Sequence, residues 1–339
     1  MLAAGLALIM VLGMTACGGG EDALSTDQTT AGTTVPTTTA PPRYLNLLTG
    51  EMDLETPNNR PVAFMIGNVS YTKNYLQQKN IDKADMYVEA ETEGGIPRIM
   101  MVFSSIDKVP NAVGPVRSAR THFVKMVKSL DAMYCHVGGS TLGSKMIKDK
   151  KITDLNSLTT VSQELKAANG AIEHTKVFLR SSIDNAIAKR GIAKTTTKKS
   201  PYIFGNKAGT GLGNKVQVNI SGGWRISFEY DANTKLYTKH RKEFGTPAHT
   251  SYDGDPITAS NIIIMYANRF DEDAKHISFE LAAGEGTLVS GGSSRDIKWT
   301  RTDDALKFTE TDGTPLTVAK GKTYICITSK GLKGKTVLQ

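Results

Sequence analysis

The sequence predicts an α+β protein in which a mixed α/β half is followed by a mostly β half. Three observations carry this. Short apolar runs alternate with helix-periodic stretches from Tyr44 to about Ser200. A polar, Gly-rich stretch then runs from Lys194 to Gly213, and its residues 201–213 read as the linker between domains at 44–200 and 214–339. From Lys215 onward nearly every apolar run has the length and spacing of a strand. Alternating strand and helix signals indicate a layered α/β body, and closely spaced short strands indicate a sandwich or barrel-like sheet.

In the first half, Arg60-Pro-Val-Ala-Phe-Met-Ile66 is a short apolar run fit for a buried strand. Asp85-Met-Tyr-Val-Glu89 and Arg98-Ile-Met-Met-Val-Phe103 follow as two strands joined by a turn at Gly94-Gly95. Ser118 to Leu130 reads as a helix with Phe123, Val124, Val127 and Leu130 on one face. A strand around Cys135, a Gly138-Gly139 loop and further helical stretches come next. One of these has Ser181 and Asp184 at capping-box spacing and closes at Gly191.

In the second half, Trp224-Arg-Ile-Ser-Phe-Glu-Tyr230 alternates cleanly, with Trp224, Ile226, Phe228 and Tyr230 on one face. After the turn Asp231-Ala-Asn-Thr234, Lys235 to Arg241 returns as a second strand. Strand-length runs then recur at Asn261–Met265, His276–Leu281, Thr287–Val289, Ile297–Trp299, Leu306–Phe308 and Tyr324–Ile327. Cys135 and Cys326 lie inside such runs and read as small buried hydrophobes.

Residues Leu2 to Met14 are apolar or small, a length that suits the core of a signal peptide and is too short to span a bilayer. They lead into Met14-Thr15-Ala16-Cys17-Gly18, which resembles the lipobox of bacterial lipoproteins and implies a diacylglyceryl group on Cys17. No positive residue precedes the apolar run, so a start upstream of Met1 is expected. Residues 18–43 are rich in Thr, Gly and Pro, bury too little to fold, and read as a flexible tether. No later apolar run reaches about 20 residues. The formal charge is +8, which fits a surface of anionic lipid or wall polymer. The basic residues are not interleaved with aromatics, so nucleic acid is not an expected partner.

The body also resembles a known family. The residues that carry this run in order: Asn46 to Gly50, Arg60-Pro-Val-Ala63, Ala84-Asp85 with Glu89, Glu93-Gly-Gly-Ile-Pro-Arg98, Gly114-Pro-Val-Arg-Ser-Ala-Arg120 and His136-Val-Gly-Gly-Ser140. In the second half they are the Trp224 hairpin, Gly245-Thr-Pro-Ala-His249 and Trp299-Thr-Arg301. Together they are similar to the YerB-like lipoproteins, bacterial envelope proteins of unassigned activity. The chain departs from the pattern at Leu47 (in place of Pro), Pro97 (in place of Thr), Glu173-His-Thr175 (in place of Pro-His-Asn) and an inserted Ala248. The resemblance implies two domains and an envelope location, and no reaction.

The chemistry is expected at the Gly114–Arg120 block. Standing just before and within the first turns of a helix, it would bring Arg117 and Arg120, three apart, onto one face beside free backbone N–H groups. That makes a cradle for phosphate or carboxylate, with Glu93, Arg98 and Ser140 completing the binding set. The competing reading pairs the arginines with Glu89 and Glu93 as structural ion pairs. His136 ends a strand before a Gly-rich loop and is a candidate acid or base, as are His174 and His249 in other loops. Ser140 has no G-x-S-x-G surround and is not read as a nucleophile. No metal site and no cofactor are expected. The function expected is a membrane-anchored protein that binds an anionic wall polymer, peptidoglycan fragment, lipid head group or exported protein. The alternative is a hydrolase or transferase in which Arg117 and Arg120 hold the anion and His136 moves the proton.

Overall fold

Seven consecutive residues from Pro97 to Phe103 have no exposed member, and the same holds for six from Val62 to Gly67 and six from Met86 to Glu91. Strands buried on both faces belong in the middle of a layered body. The computed structural model describes residues 43–68, 78–155, 161–163 (backbone only) and 176–339, and places all three there. We label the first elements β1 (Tyr44–Leu45), β2 (Met52–Leu54), β3 (Val62–Gly67), β4 (Met86–Glu91), β5 (Pro97–Phe103), α1 (Thr121–Leu130), α2 (Thr141–Asp149) and α3 (Arg180–Arg190).

The central sheet has ten strands. Its path runs from Gly211–Leu212 through Ser293–Arg301, Ala283–Ser290, Asn261–Ala267 and Thr323–Ser329, then β4, β5 and β3 to Met133–Cys135. Thr323–Ser329 lies parallel to β4, with Cys326 opposite Glu89, so the two sequence halves are hydrogen-bonded into one sheet. A second sheet of five antiparallel strands, built on Lys215–Asn219, Arg225–Asp231 and Leu236–His240, packs on one face of the first. Its Val216, Val218, Ile226, Phe228 and Tyr237 meet Phe64, Tyr87, Ile264 and Tyr324 in one core cluster. The other face carries α1, whose Phe123, Val124, Met126, Val127 and Leu130 join Met65, Val88, Met100 and Ile325.

The α+β expectation stands: helices border a largely β body. The stretch 201–213, read as a linker, is itself laid on this body. Ile203–Phe204 pairs with Thr317–Val318, Gly211–Leu212 pairs with Ser294–Ser293, and Tyr202 is buried against Phe308. Two local expectations are corrected. The helix read from Ser118 begins at Thr121, because 118–120 are extended and pair with the 138–140 loop. The Ser181–Asp184 capping box is not formed: Leu179 is the N-cap, with no side-chain cap bond, and Asp184 instead takes the Arg180 Nε at 2.8 Å. Gly191 does close α3, in the left-handed conformation at φ 60°. Both described cysteines are free and buried. No helix among the described residues is long and apolar enough to cross a membrane.

Candidate functional site

β3, β4, Met133–Cys135, Asn261–Ala267 and Thr323–Ser329 run the same way, so their carboxyl ends share one edge of the sheet. In open α/β sheets this is the edge where ligands bind. Here it collects ionisable side chains on both faces. Strand alternation sends Arg98 toward α1 with Met100 and Val102, and sends Glu89 toward the five-stranded sheet with Tyr87.

On the α1 face, β4 and β5 are joined by the turn Glu93–Gly95, in which Gly94 and Gly95 take φ 69° and 74°. The turn delivers Glu93 between two arginines. Arg98 donates to its carboxylate at 2.7 Å, and Arg120 donates through Nε at 2.7 Å and through Nη2. Each arginine also holds backbone: Arg98 Nη1 reaches the Ser118 carbonyl at 2.6 Å, and Arg120 Nη1 reaches the Ala119 carbonyl at 2.7 Å. Glu93 is the member nearest water, its side chain 32% exposed against 8% and 7% for Arg98 and Arg120.

Arg117 stands beside this clasp. It belongs to an extended strap, residues 114–120, hydrogen-bonded to Met65 and Gly67 on one side and to Val137, Gly138 and Ser140 on the other. Gly67 pairs with Arg98 across the sheet, and the Arg117 stem passes directly over it; a Cβ at Gly67 would lie 2.8 Å from Arg117 Cγ. Burial, followed by the fields of Arg120 and Arg117, pushes the Arg98 guanidinium down to about 10 even though Glu93 opposes it. The Tyr134 hydroxyl is buried near these cations and has no hydrogen-bond partner among the described residues.

On the opposite face, Glu89 is fully buried. It accepts from Asn68 Nδ2 at 2.8 Å and the Tyr324 hydroxyl at 2.5 Å, and the Lys239 ammonium lies 3.4 Å away. Lys239 donates to His249 Nδ1 at 3.0 Å, and His249 Nε2 donates to Gln78 Oε1 at 2.6 Å. Arg241 closes the network, giving one hydrogen bond to Asn68 (2.8 Å) and one to Gln78 (2.7 Å). Burial, then Arg241 and Lys239, hold His249 well below its usual range, so its ring is neutral with the proton on Nε2.

The expected site residues therefore separate. Glu93, Arg98, Arg117 and Arg120 do come together. Arg117 and Arg120 are not two positions on a helical face; both lie in the extended strap, with Arg120 as the N-cap of α1. Glu89, offered as a partner for the arginines, serves Lys239 on the other face. Ser140 is the N-cap of α2, its hydroxyl accepting from the Gly143 N–H at 3.0 Å, so it holds a helix rather than a ligand. His136 is buried, with Nδ1 at 2.7 Å from the Gly138 carbonyl and Nε2 at 2.9 Å from Asp154. Both ring nitrogens are thus engaged with neighbouring groups. His249 is likewise enclosed, not a loop residue open to substrate. Cys17 and His174 lie outside the described residues.

The residues of this network that sequence reading missed are Lys239, Tyr324, Asn68, Gln78 and Arg241. The one available signal was parity: Lys239 shares the strand face of Tyr237, and Glu89 that of Tyr87.

With this geometry in hand, comparison with known proteins places the chain. Residues 48–193 match the N-terminal domain, and residues 216–325 the C-terminal domain, of the family described as protein of unknown function DUF3048. The chain belongs to this family. It is 26% identical over 289 residues to "Putative lipoprotein YerB" of Bacillus subtilis (strain 168), covering 83% of this chain and 85% of that protein. The crystal structure of the Bacillus subtilis YerB protein is similar in fold, with a TM-score of 0.73 at 25% identity, covering 87% of this chain and 99% of that one.

Proposed function

We propose that this chain is an envelope lipoprotein, held to the membrane by a lipid on Cys17, that binds an anionic ligand at the carboxyl edge of its central sheet. The observation that carries the reading is the charge on the α1 face: two guanidinium groups hold one carboxylate that is more exposed than either, and the field of a third, Arg117, reaches Arg98. Cations held this close in a poorly hydrated place attract a further anion. The buried Tyr134 hydroxyl beside them adds a donor in need of an acceptor. Arg98 and Arg120 are committed to Glu93 and to backbone carbonyls, and Arg117 is the arginine whose replacement leaves that clasp in place. Phosphate and carboxylate both fit this chemistry, and wall polymers and peptidoglycan fragments carry them. With both nitrogens of His136 engaged, binding without catalysis is the reading favoured.

Titration of the wild type with inorganic phosphate and with a glycerol-phosphate oligomer tests the site. A charge-assisted contact is worth about 1.5–3 kcal/mol, so Arg117→Gln is expected to weaken binding by about tenfold to a hundredfold. Gly67→Ala, which pushes the Arg117 stem aside, is expected to weaken it in the same direction. Equal affinity in wild type and Arg117→Gln would remove the site. The anchor is tested separately by fractionation. Cys17→Ala is expected to leave the membrane fraction or to remain unprocessed, and a mature-sized variant still in membranes would contradict it.

A further inference from the structure

Arg98 and Arg120 have supports of their own, apart from Glu93. Arg98 stands on β5 and gives Nη1 to the Ser118 carbonyl, and Arg120 gives Nη1 to the Ala119 carbonyl. The strap that carries these carbonyls is tied in turn to the neighbouring loop. The Ala119 N–H donates to the Gly138 carbonyl at 3.1 Å, and the Ser140 N–H donates to the Ala119 carbonyl at 3.3 Å. Both arginine side chains are nearly closed from water. What they turn toward Glu93 is Arg98 Nη2 with Arg120 Nε and Nη2, three charged donors converging on one small anion. Planar guanidinium donors in such a set match the terminal oxygens of a carboxylate or a phosphate.

The anion they hold is mounted differently. The turn that begins at Glu93 is closed at its base, where the Thr92 N–H and the Thr92 hydroxyl both donate to the Ile96 carbonyl at 2.8 Å. Above that base the tip is open. A Cβ at Gly94 would meet nothing closer than Ile96 Cδ1 at 3.9 Å, and both glycines take the positive φ that suits them. The tip is tied to the loop after Lys215–Asn219 by one neutral hydrogen bond, from Ser221 Oγ to the Gly95 carbonyl at 2.7 Å. Two fixed cations thus face a carboxylate on a jointed tip, which turns outward without disturbing β4 or β5.

We propose that the site takes a phosphoryl group, and that this group enters by expelling the Glu93 carboxylate and lying between Arg98 and Arg120 in its place. The proposal rests on the anion-binding reading above. The internal rival sets the selectivity. A carboxylate arriving from solution would make the same contacts as Glu93, and Glu93 competes at the effective concentration of an attached group, on the order of millimolar or above. The incoming carboxylate gains no new contact and loses its freedom of motion. A phosphate monoester carries nearly two negative charges at neutral pH and three terminal oxygens. It engages the same donors, and its second charge meets cations that one carboxylate leaves in excess, since the field of Arg117 also reaches Arg98. Glu93 is therefore a filter that admits phosphoryl groups and turns carboxylates away.

Isothermal titration of the full chain with inorganic phosphate and with acetate reads the exchange. The wild type is expected to bind phosphate at least about tenfold more tightly than acetate. Glu93→Ala, which vacates the place between the arginines, is expected to bind acetate at least about tenfold more tightly than the wild type does, and to bind phosphate more tightly as well. Should that variant fail to fold, Glu93→Gln keeps the volume without the charge, and its affinity for phosphate is expected to rise in the same direction. Ser221→Ala loosens the tip without touching the arginines, so it is expected to strengthen phosphate binding about threefold. Phosphate bound beside an intact clasp would be indifferent to Ser221, and an unchanged affinity in that variant overturns the exchange. Equal affinity for acetate and phosphate in the wild type overturns the filter. In both cases a loss of phosphate binding in Arg117→Gln leaves the anion site itself standing. No phosphate binding by any of these proteins removes the site, and the exchange with it.

Discussion

Replacing Glu89 with alanine is expected to destabilise the fold by about 3–5 kcal/mol, because it leaves the Lys239 ammonium buried without its carboxylate. Both side chains are essentially excluded from water. Burial already holds Lys239 below its usual range, and Glu89 is the main influence opposing that shift. The loss also strips the Tyr324 hydroxyl and the Asn68 amide of their acceptor, two further buried groups left unpaired. Urea unfolding measures the effect. Lys239→Met alone is expected to cost less than Glu89→Ala, since Glu89 keeps two neutral donors. The double variant Glu89→Leu/Lys239→Met is expected to recover much of the loss, as apolar replacements of buried ion pairs do. A Glu89→Ala loss under about 1 kcal/mol would mean that the pair is hydrated and not part of the core.

This pair shows where sequence reading reached its limit. Periodicity located β3, β4, β5 and α1 within a few residues, because a run such as Ile99 to Phe103 has no exposed position to obscure its pattern. It could not show that Thr323–Ser329 lies parallel to β4, a pairing between residues more than 230 positions apart. Hence the two halves read as separate bodies, and Glu89 and Lys239 as two unrelated polar residues. The Gly114–Arg120 block pointed correctly to an arginine cluster. Its conformation was misread because Arg117 and Ala119 spend their backbone groups on β3 and the 136–140 loop, a tertiary demand that overrides helix propensity at Ser118-Ala119-Arg120. His136 at a strand end before glycines looked exposed. It is buried, and Asp154, eighteen residues on and unmarked by any pattern, meets its Nε2.

The clasp on the other face gives the fold a dependence on acid with a definite sign. Burial pushes the Glu93 carboxyl up, but the Arg120 hydrogen bonds and the fields of Arg98 and Arg120 outweigh it, and the group is drawn down from 4.5 to about 2. A carboxylate depressed in the folded state contributes stability that is fully present above its unfolded value. That contribution is lost as pH falls from about 5 toward 2. The full shift corresponds to about 3 kcal/mol, and with a third of the side chain open to solvent the expected contribution is nearer 2. Unfolding free energies of wild type and Glu93→Gln, measured from pH 2 to 7, should therefore converge on acidification, with the wild type ahead by that amount only above about pH 5. A constant difference across the range would mean that Glu93 is not ionised within the clasp. The same variant bears on the ligand. Removing the carboxylate leaves Arg98 and Arg120 in one poorly hydrated place without their internal anion, so inorganic phosphate should raise the melting temperature of Glu93→Gln more than that of the wild type. If phosphate stabilises neither protein, the arginines act only as the structural clasp that binds the 114–120 strap to β5.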